Sequence, residues 1–365
     1  MNKEIDYTLI VVTLILCIVG LTVIYSATFT DKEQTRFIYQ CVFIGIGWIL
    51  LILVSMLDYH WWGKFARHIY LIIIVTLLLV LLIGEVIRGS QRWLSAGPIS
   101  IQPSEFTKLM LIITIASFLT KYKGKINSTI NLIKLGLHIS IPVILVMLQP
   151  DLGTSIILSA LGIGLAYAGG VKPVYLGIAT FLGIVSGYLK LAPYQKTRLL
   201  IFLNPYNDPT GDGWNIIQSE IAIGSGQLKG KSWLAGTQSH LNFLPEKTTD
   251  FIFAVFAEEW GFIGTFILIT LYFILIWKAF TIASRCKSAL GGLLSYGIGL
   301  LFFLHVLINI GMTSGIMPVT GITLPFISYG GSSLITNLVA IGILLNIYKQ
   351  ESKSTFYDEL SGEIT

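Results

Sequence analysis

Residues 7–27 read YTLIVVTLILCIVGLTVIYSA, a run of 21 residues without a charged side chain. About 20 such residues are needed for a helix to cross the hydrocarbon core of a bilayer, so this stretch predicts a membrane-spanning helix. It is too long for the apolar core of a cleavable signal peptide, and no Ala-x-Ala site follows it. We therefore expect this first helix to be retained.

Nine further apolar runs follow along the chain. Their approximate bounds are 37–57, 68–86, 103–120, 132–149, 152–169, 174–190, 251–279, 290–312 and 324–347. Charged residues make up only 12% of the 365 residues, about half the share of an average soluble domain. The sequence therefore predicts an all-α integral membrane protein of about ten transmembrane helices, formed as a single membrane domain over residues 1–365.

Lysine and arginine are unevenly distributed between the two sets of connections. If the N-terminus is inside, the inner segments hold Lys3, Lys64, Arg67, Lys121, Lys123, Lys125, Lys134, Lys172, Lys278, Arg285, Lys287, Lys349 and Lys353. The short outer loops hold Lys32, Arg36, Arg88 and Arg92. Under the positive-inside rule, this asymmetry predicts cytoplasmic N- and C-termini, with a tail at about 349–365. It also predicts one large extracytoplasmic loop, about 191–250, between helices 7 and 8.

The net charge of +5 is largely this inner basic bias, which indicates contact with anionic membrane lipids and not with nucleic acid. Cys17, Cys41 and Cys286 lie in or beside apolar runs and have no paired spacing. A disulfide framework or a cysteine metal site is therefore not expected.

Glycine and proline interrupt the apolar runs at three places. These are QPS at 102–104, QPDLGT at 149–154 and PFISYGGSS at 325–333. Broken backbone at membrane depth is tolerated only inside protein or along a wet cavity. The breaks predict a polar cavity that opens toward the outer face.

Two charged residues within the membrane segments, and one acidic residue in a turn, each allow two interpretations. Glu105 and Lys108 are three residues apart and share one helix face. Since each costs roughly 2.5–3.5 kcal/mol at a bilayer centre, we expect either a structural ion pair or a ligand site near the outer end. Asp151, with Thr154 three residues later, is either the cap of the next helix or an acid that lines the cavity.

The outer loop re-enters the membrane at LPEKTTDFIFAV, residues 244–255. Asp250 lies at the mouth of an apolar helix, which suits a general base but also an ordinary helix cap. Glu258 and Glu259 follow about two turns deeper and are expected to join polar networks. Other polar residues of the outer face suit either phosphate and sugar contacts or plain solvation and lipid anchoring. They are Arg88, Arg92, Arg198, Gln218, Ser219 and His240.

Eight stretches taken together resemble the shape, elongation, division and sporulation family of RodA, FtsW and SpoVE. They are Ile5-Asp6, residues 24–27, 92–94, 102–108 and 149–154, Gln218-Ser219 with 224–226, residues 245–261, and residues 318–333. They extend over nearly the whole chain, in order. Residues 236–246 and 317–322 are more similar to the elongation branch, RodA, than to the division branch.

The resemblance implies an inverting peptidoglycan glycosyltransferase, which polymerises lipid II on the outer face of the bacterial cytoplasmic membrane during elongation of rod-shaped cells. It implies a class B penicillin-binding protein as the partner that crosslinks the glycan strand. The essential loop aspartate of the family falls on Asp250, and its intramembrane pair falls on Glu105 and Lys108. The residues Lys247-Thr248 and Trp260 depart from the family pattern but do not touch the expected chemistry.

Our hypothesis makes Asp250 the base. Candidates for contacts with the diphosphate or the sugars are Glu105, Lys108, Arg88, Arg92, Asp151, Thr154, Arg198, Gln218, Ser219, His240, Thr320, Ser328 and Ser332. A divalent cation, Mg²⁺ or Mn²⁺, is expected to share the diphosphate charge, with no protein-only metal site and no organic cofactor. The alternatives are a lipid II flippase, which a bundle with broken helices also fits, and a non-catalytic scaffold for the penicillin-binding protein.

Overall fold

The computed structural model describes residues 6–29, 34–87, 90–96, 99–190, 193–211, 213–241 and 243–362. These contain α1 (Tyr7–Thr28), α2 (Thr35–Met56), α3 (His60–Lys64), α4 (Ala66–Ile83), α5 (Pro103–Lys121), α6 (Thr129–Leu148), α7 (Leu152–Ala168), α8 (Pro173–Lys190), α9 (Pro193–Leu203), α10 (Trp214–Ser225), α11 (Thr237–His240), α12 (Ile252–Arg285), α13 (Ala289–Thr313) and α14 (Gly331–Gly362). A turn of 3₁₀ helix lies at Pro205–Asn207.

The ten predicted apolar runs correspond to the ten longest helices in this set. Among the described residues, seven helices are long and apolar enough to cross a membrane, and α7 and α8 are apolar but shorter. Several boundaries differ from the sequence prediction, and α12 and α14 continue to Arg285 and Gly362, beyond the predicted ends at 279 and 347. The run 68–86 ends as helix at Ile83, and the run 324–347 is helical only from Gly331, because Pro325 and the glycines after it favour an irregular segment.

A small antiparallel sheet connects α4 to α5, and the all-α prediction did not include it. Its strands are β1 (Glu85–Ile87), β2 (Ser90–Ala96) and β3 (Ile99–Ile101), in the order β1-β2-β3. Gln91 pairs with Val86, and Leu94 pairs with Ile101. The sheet thus provides hydrogen-bond partners for backbone N–H and C=O groups after Gly84, where α4 has ended.

The core lies where α13 packs between α5, α7 and α12, while α14 packs along α2. Leu111, Leu161 and Ile298 are fully buried there. On the outside of the bundle, large apolar side chains are exposed on α2, α4, α6, α8 and α12. An exposed apolar belt of this kind is typical of a surface that faces lipid.

Contacts between the connecting segments identify the two ends of the bundle. At one end, which we call the loop end, Arg36 contacts Thr248 and Gln102 contacts Ser332. At the opposite end, Asn127 of the α5–α6 connection donates to the carbonyl oxygen of Gly170. The irregular residues 314–330, which we call the α13–α14 connection, lie at the loop end.

Helix α12 is kinked at Gly261, whose φ of 63° and ψ of −163° are not helical. Backbone groups released by the kink pair with residues 227–232 of the loop. The four hydrogen bonds run from Lys231 N to Glu258 O (3.0 Å), Ser232 N to Glu259 O (3.2 Å), Phe262 N to Gln227 O (2.8 Å) and Ile263 N to Leu228 O (3.1 Å). The loop therefore satisfies a helix break that lipid cannot satisfy.

Replacement of Gly261 by alanine is expected to destabilise the protein. The backbone conformation of Gly261 is nearly restricted to glycine and costs another residue about 1–3 kcal/mol. In addition, a Cβ atom would collide with the backbone nitrogen of Gly230. Thermal unfolding in detergent should show a clearly lower midpoint for Gly261→Ala.

Gly224→Ala is the matched control, because Gly224 lies in α10 and a Cβ there meets nothing within 4 Å. It is expected to leave the midpoint unchanged or to raise it slightly, since alanine favours the helix. Equal midpoints for the two variants would contradict the close packing of the loop against the kink.

Candidate active site

Asp250 is half-buried and lies two residues before the start of α12. Its backbone carbonyl accepts a hydrogen bond of 2.9 Å from Asn309 Nδ2 of α13, and the same nitrogen donates to the carbonyl oxygen of Ile322 at 2.6 Å. Its Oδ2 lies 3.4 Å from the place that a Cβ on Gly321 would occupy. The carboxylate therefore faces the α13–α14 connection.

Several hydrogen bonds hold that connection against the segment that carries Asp250. Ser328 Oγ donates to the carbonyl oxygen of Thr249 at 2.6 Å, and the amide of Tyr329 donates to the carbonyl oxygen of Thr248 at 2.8 Å. Gln40 of α2 donates to Ser328 O at 3.2 Å and accepts from the amide of Gly330 at 3.3 Å. The position of Asp250 is thus set by α2, α13 and the α13–α14 connection together.

Lys108 lies at the centre of a buried polar cluster that we call the lysine cluster. Its Nζ is 2.8 Å from Glu105 Oε1 and 3.0 Å from His305 Nε2. Because His305 Nδ1 lies 3.0 Å from the carbonyl oxygen of Thr323, Nδ1 carries the proton and Nε2 accepts from the lysine. The predicted Glu105–Lys108 contact is confirmed, and it continues through His305 to the α13–α14 connection.

Asp151 caps α7, as one interpretation of the sequence expected. Its Oδ1 accepts a hydrogen bond of 3.1 Å from the amide of Thr154 and lies 3.7 Å from a terminal nitrogen of Arg92. Arg92 also donates to the carbonyl oxygens of Gln149, at 3.3 Å, and Pro150. Its guanidinium is therefore engaged by the end of α6, and an anionic ligand would have to share it.

Glu258 and Glu259 both join polar networks, as expected. Glu258 is fully buried, and its Oε1 accepts from Lys231 Nζ at 2.8 Å and from the amide of Thr237 at 2.8 Å. Glu259 accepts from the hydroxyl of Ser26 on α1. These two acids tie the loop and α1 to the first turns of α12.

The remaining predicted site residues are dispersed around the loop end. Ser219 Oγ donates to Thr313 O at 2.7 Å, and its neighbour Gln218 is nearly buried. His240 Nε2 lies 3.2 Å from Ser26 O, and Thr320 Oγ1 lies 3.9 Å from Met312 Sδ. Ser332 Oγ accepts from Gln102 N at 3.0 Å. Arg88 lies outside the described residues, and Arg198 belongs to α9 without a described side chain. Their roles toward a substrate stay predictions.

Two of the predicted groups reach the α13–α14 connection, and a third reaches the start of α14 beside it. Asp250 reaches the connection through Asn309, and Lys108 reaches it through His305. Asp151 is linked to the start of α14, beside the connection, because Gln102 contacts both Asp151, at 3.5 Å, and Ser332. One connected region thus contains a carboxylate, a buried ammonium and the starts of α5, α7 and α14.

Four residues of this region were not among the sequence predictions: Arg36, Gln40, His305 and Asn309. His305 and Asn309 lie four residues apart in the apolar run 290–312, and polar side chains in such a run indicate a functional or paired position. Arg36 Nη1 donates to Thr248 Oγ1 at 2.9 Å. No local pattern distinguishes Arg36 or Gln40 from other residues at the start of α2.

The described residues contain no cluster of three or more histidine, cysteine, aspartate or glutamate side chains that would hold a metal ion. A divalent cation at this site would therefore take most of its ligands from a bound anion and from water, as Mg²⁺ usually does.

Removal of the Glu258 carboxylate is expected to release the loop from α12. The variant Glu258→Ala removes the ion-pair partner of the Lys231 ammonium and the acceptor of the Thr237 and Gln238 amides, and each lost charged hydrogen bond costs about 1.5–3 kcal/mol. Limited proteolysis should cut residues 231–241 much faster than in the wild type.

The control is Glu220→Ala, which removes an exposed acid of α10 in the same loop. It should leave the cleavage rate of residues 231–241 unchanged. Unaltered cleavage in Glu258→Ala would mean that other contacts order this part of the loop.

Comparison with known proteins gives a consistent result. A family model described as cell cycle protein, FtsW/RodA/SpoVE, matches residues 7–353. The chain is 39% identical to the peptidoglycan glycosyltransferase MrdB of Escherichia coli K12 over 360 residues, with 96% of each chain covered. Among solved structures, it is similar to a chain from a study of polymerization and crosslinking by a peptidoglycan synthase complex, with a TM-score of 0.81, 29% identity, and 95% of this chain and 98% of that one covered. It is also similar to the rod shape determining protein RodA of Thermus thermophilus, with a TM-score of 0.72, 27% identity, and 95% and 97% covered.

Proposed function

The chain belongs to the FtsW, RodA and SpoVE family, and on this premise we propose that it is a peptidoglycan glycosyltransferase that polymerises lipid II with Asp250 as general base. The relatives named as glycosyltransferases match it over nearly its whole length. The observation that supports the assignment of the base is the half-buried Asp250 carboxylate, which faces the α13–α14 connection.

The proposed step joins two saccharides by an in-line displacement. The 4-hydroxyl oxygen of the acceptor sugar forms a bond to the anomeric carbon of the donor. The bond from that carbon to the lipid diphosphate breaks, and both of its electrons leave with the diphosphate. Asp250 accepts the hydroxyl proton, and such a base contributes about 10²–10⁴-fold to the rate. A single displacement inverts the anomeric centre.

The charge of the leaving diphosphate needs compensation. Helices α5, α7 and α14 begin around the α13–α14 connection. Gln102 at the start of α5 contacts Ser332 at the start of α14, and Gly153 of α7 packs against the carbonyl oxygen of Thr320. Helix N-termini attract phosphate, and the Lys108 ammonium, which pairs with Glu105 and His305, has a third N–H to donate. We propose that the diphosphate lies in this region, with Arg92 at its edge.

A divalent cation, Mg²⁺ or Mn²⁺, would fit the same proposal. Asp250 and Asp151 offer carboxylate oxygens, which are the ligands that Mg²⁺ prefers. Such a cation would neutralise part of the diphosphate charge when bound. The proposal includes no metal ion that is held by protein ligands alone, and no organic cofactor.

We further propose that the loop end faces outward from the cytoplasmic membrane of a bacterium. The lysine-rich connections 121–128 and 169–172 lie together at the opposite end, which the positive-inside rule assigns to the cytoplasm. In this orientation the active site meets lipid II on the outer face. The partner is proposed to be a class B penicillin-binding protein, which crosslinks the strand.

The decisive experiment uses purified protein with its partner, lipid II and Mg²⁺ or Mn²⁺. Glycan polymer should form only when this chain is present, and the partner alone is the control. A mixture that makes no polymer but moves lipid II across liposome membranes would favour the flippase. A mixture that does neither, yet binds the partner, would favour the scaffold.

A further inference from the structure

A cavity lies at the opposite end of the bundle from Asp250. It has a volume of about 550 Å³ and lies among the ends of α5, α7 and α12 and the start of α13. Its size is in the range of small-ligand pockets. Because the catalytic region is at the loop end, this cavity has no part in the proposed glycosyl transfer.

The wall of the cavity is apolar with a few polar groups. Leu119, Phe280 and Leu293 supply aliphatic and aromatic surface, while Lys123 supplies a cation at the rim. Hydroxyl groups come from Thr120, Ser284, Ser288 and Tyr296. Such a lining suits an amphiphilic ligand with a small polar head.

The charge of the cavity is positive. None of its described lining residues is acidic, and within the described part of the chain the Lys123 ammonium has no salt bridge or hydrogen-bond partner. Further cations flank the lining residues in sequence, namely Lys121, Lys125, Lys172, Arg285 and Lys287. The ligand head is therefore expected to be anionic.

The Cys286 thiol of the lining is neutral, and the Glu351 carboxylate beside it is not a lining residue. Burial, together with the nearby Glu351 carboxylate, raises the pKa of the Cys286 thiol to about 12, so this lining residue stays neutral. Glu351 itself accepts hydrogen bonds from Tyr59 Oη at 3.2 Å and from the amide of Lys287 at 2.9 Å. It is held by these donors and is not among the lining residues.

We propose that this cavity binds one anionic glycerophospholipid, such as phosphatidylglycerol, from the leaflet opposite the loop end. The phosphate contacts Lys123, and the acyl chains lie along the apolar wall. Basic pockets between transmembrane helices at the cytoplasmic side bind anionic lipid heads in this way. Bound lipid would brace the ends of α5, α7, α12 and α13, and α5 and α13 carry the lysine cluster.

The test is native mass spectrometry of the full-length protein in detergent, titrated with phosphatidylglycerol or with phosphatidylethanolamine. The wild type should retain one phosphatidylglycerol molecule and bind it at least tenfold more tightly than phosphatidylethanolamine. Lys123→Gln should weaken this binding about fivefold, which is the effect of one lysine near a lipid head. Lys125→Gln, two residues away and outside the lining, should weaken it less than twofold.

A second variant tests the cavity itself. Ala168→Trp places a large side chain in the lining at an exposed position of α7, and it should abolish the retained lipid. If this variant does not fold, the two lysine variants still test the proposal. Equal binding in Lys123→Gln and Lys125→Gln, or equal retention of the two lipids, would overturn the proposal. Binding of glycerol 3-phosphate as tight as that of the phospholipid would overturn it too.

Discussion

Asp250→Asn is expected to lower the rate of glycan polymerisation by at least about 100-fold, since a positioned general base contributes about 10²–10⁴-fold. The asparagine keeps the size of the side chain and leaves the backbone bond to Asn309 in place. It cannot accept the proton of the acceptor hydroxyl. The loss should therefore appear in the rate of polymerisation.

The measurement is polymer formation from labelled lipid II by the purified protein with its partner. The matched control is Asp208→Asn, the same substitution at another acid of the loop, where Oδ1 accepts from the amide of Gly211 at 3.1 Å. An asparagine oxygen accepts the same bond, so this variant should polymerise at the wild-type rate. Normal polymerisation by Asp250→Asn would rule out its role as the base.

Lys108→Met is expected to reduce both stability and activity. The change leaves the Glu105 carboxylate buried without its ammonium partner and removes the donor to His305 Nε2. Breaking a buried ion pair from one side costs about 3–5 kcal/mol, whereas removal of both charges is often nearly neutral. The double variant Glu105→Gln with Lys108→Met should therefore recover most of the lost stability.

The double variant also separates two roles of the Glu105–Lys108 pair. If the pair contacts the substrate, polymerisation stays low although the unfolding midpoint recovers. If the pair only locks α5 to α13, activity recovers together with stability, and the proposed diphosphate contact is wrong. Lys125→Met, an exposed lysine in the connection after α5, is the control and should change neither quantity.

The sequence predicted the local features of this protein well. The ten apolar runs became the ten longest helices, because about 20 apolar residues have few structures other than a buried or membrane-spanning helix. The contact of Glu105 with Lys108 and the cap of Asp151 on Thr154 depend on spacings of three residues within one segment. Such geometry follows from helix periodicity alone.

Contacts between segments were not predictable in the same way. Lys108 and His305 are 197 positions apart in the chain, and Asp250 and Asn309 are 59 positions apart. Helices α5 and α13 are apolar on most faces, so their sequence pattern does not show which face meets which neighbour. Both helices were predicted, but their shared polar cluster was not.

The sequence by itself thus determined the approximate positions of the ten longest helices, the family resemblance and the choice of Asp250 as the candidate base. The tertiary structure decided what surrounds that base. It places the α13–α14 connection against Asp250 and holds it through Asn309, Ser328 and Gln40. The physical reason is that these hydrogen bonds join α2, α13 and the segment before α12 only after the helices have packed. The direction in which each polar side chain points is then fixed by the fold and not by its neighbours in sequence.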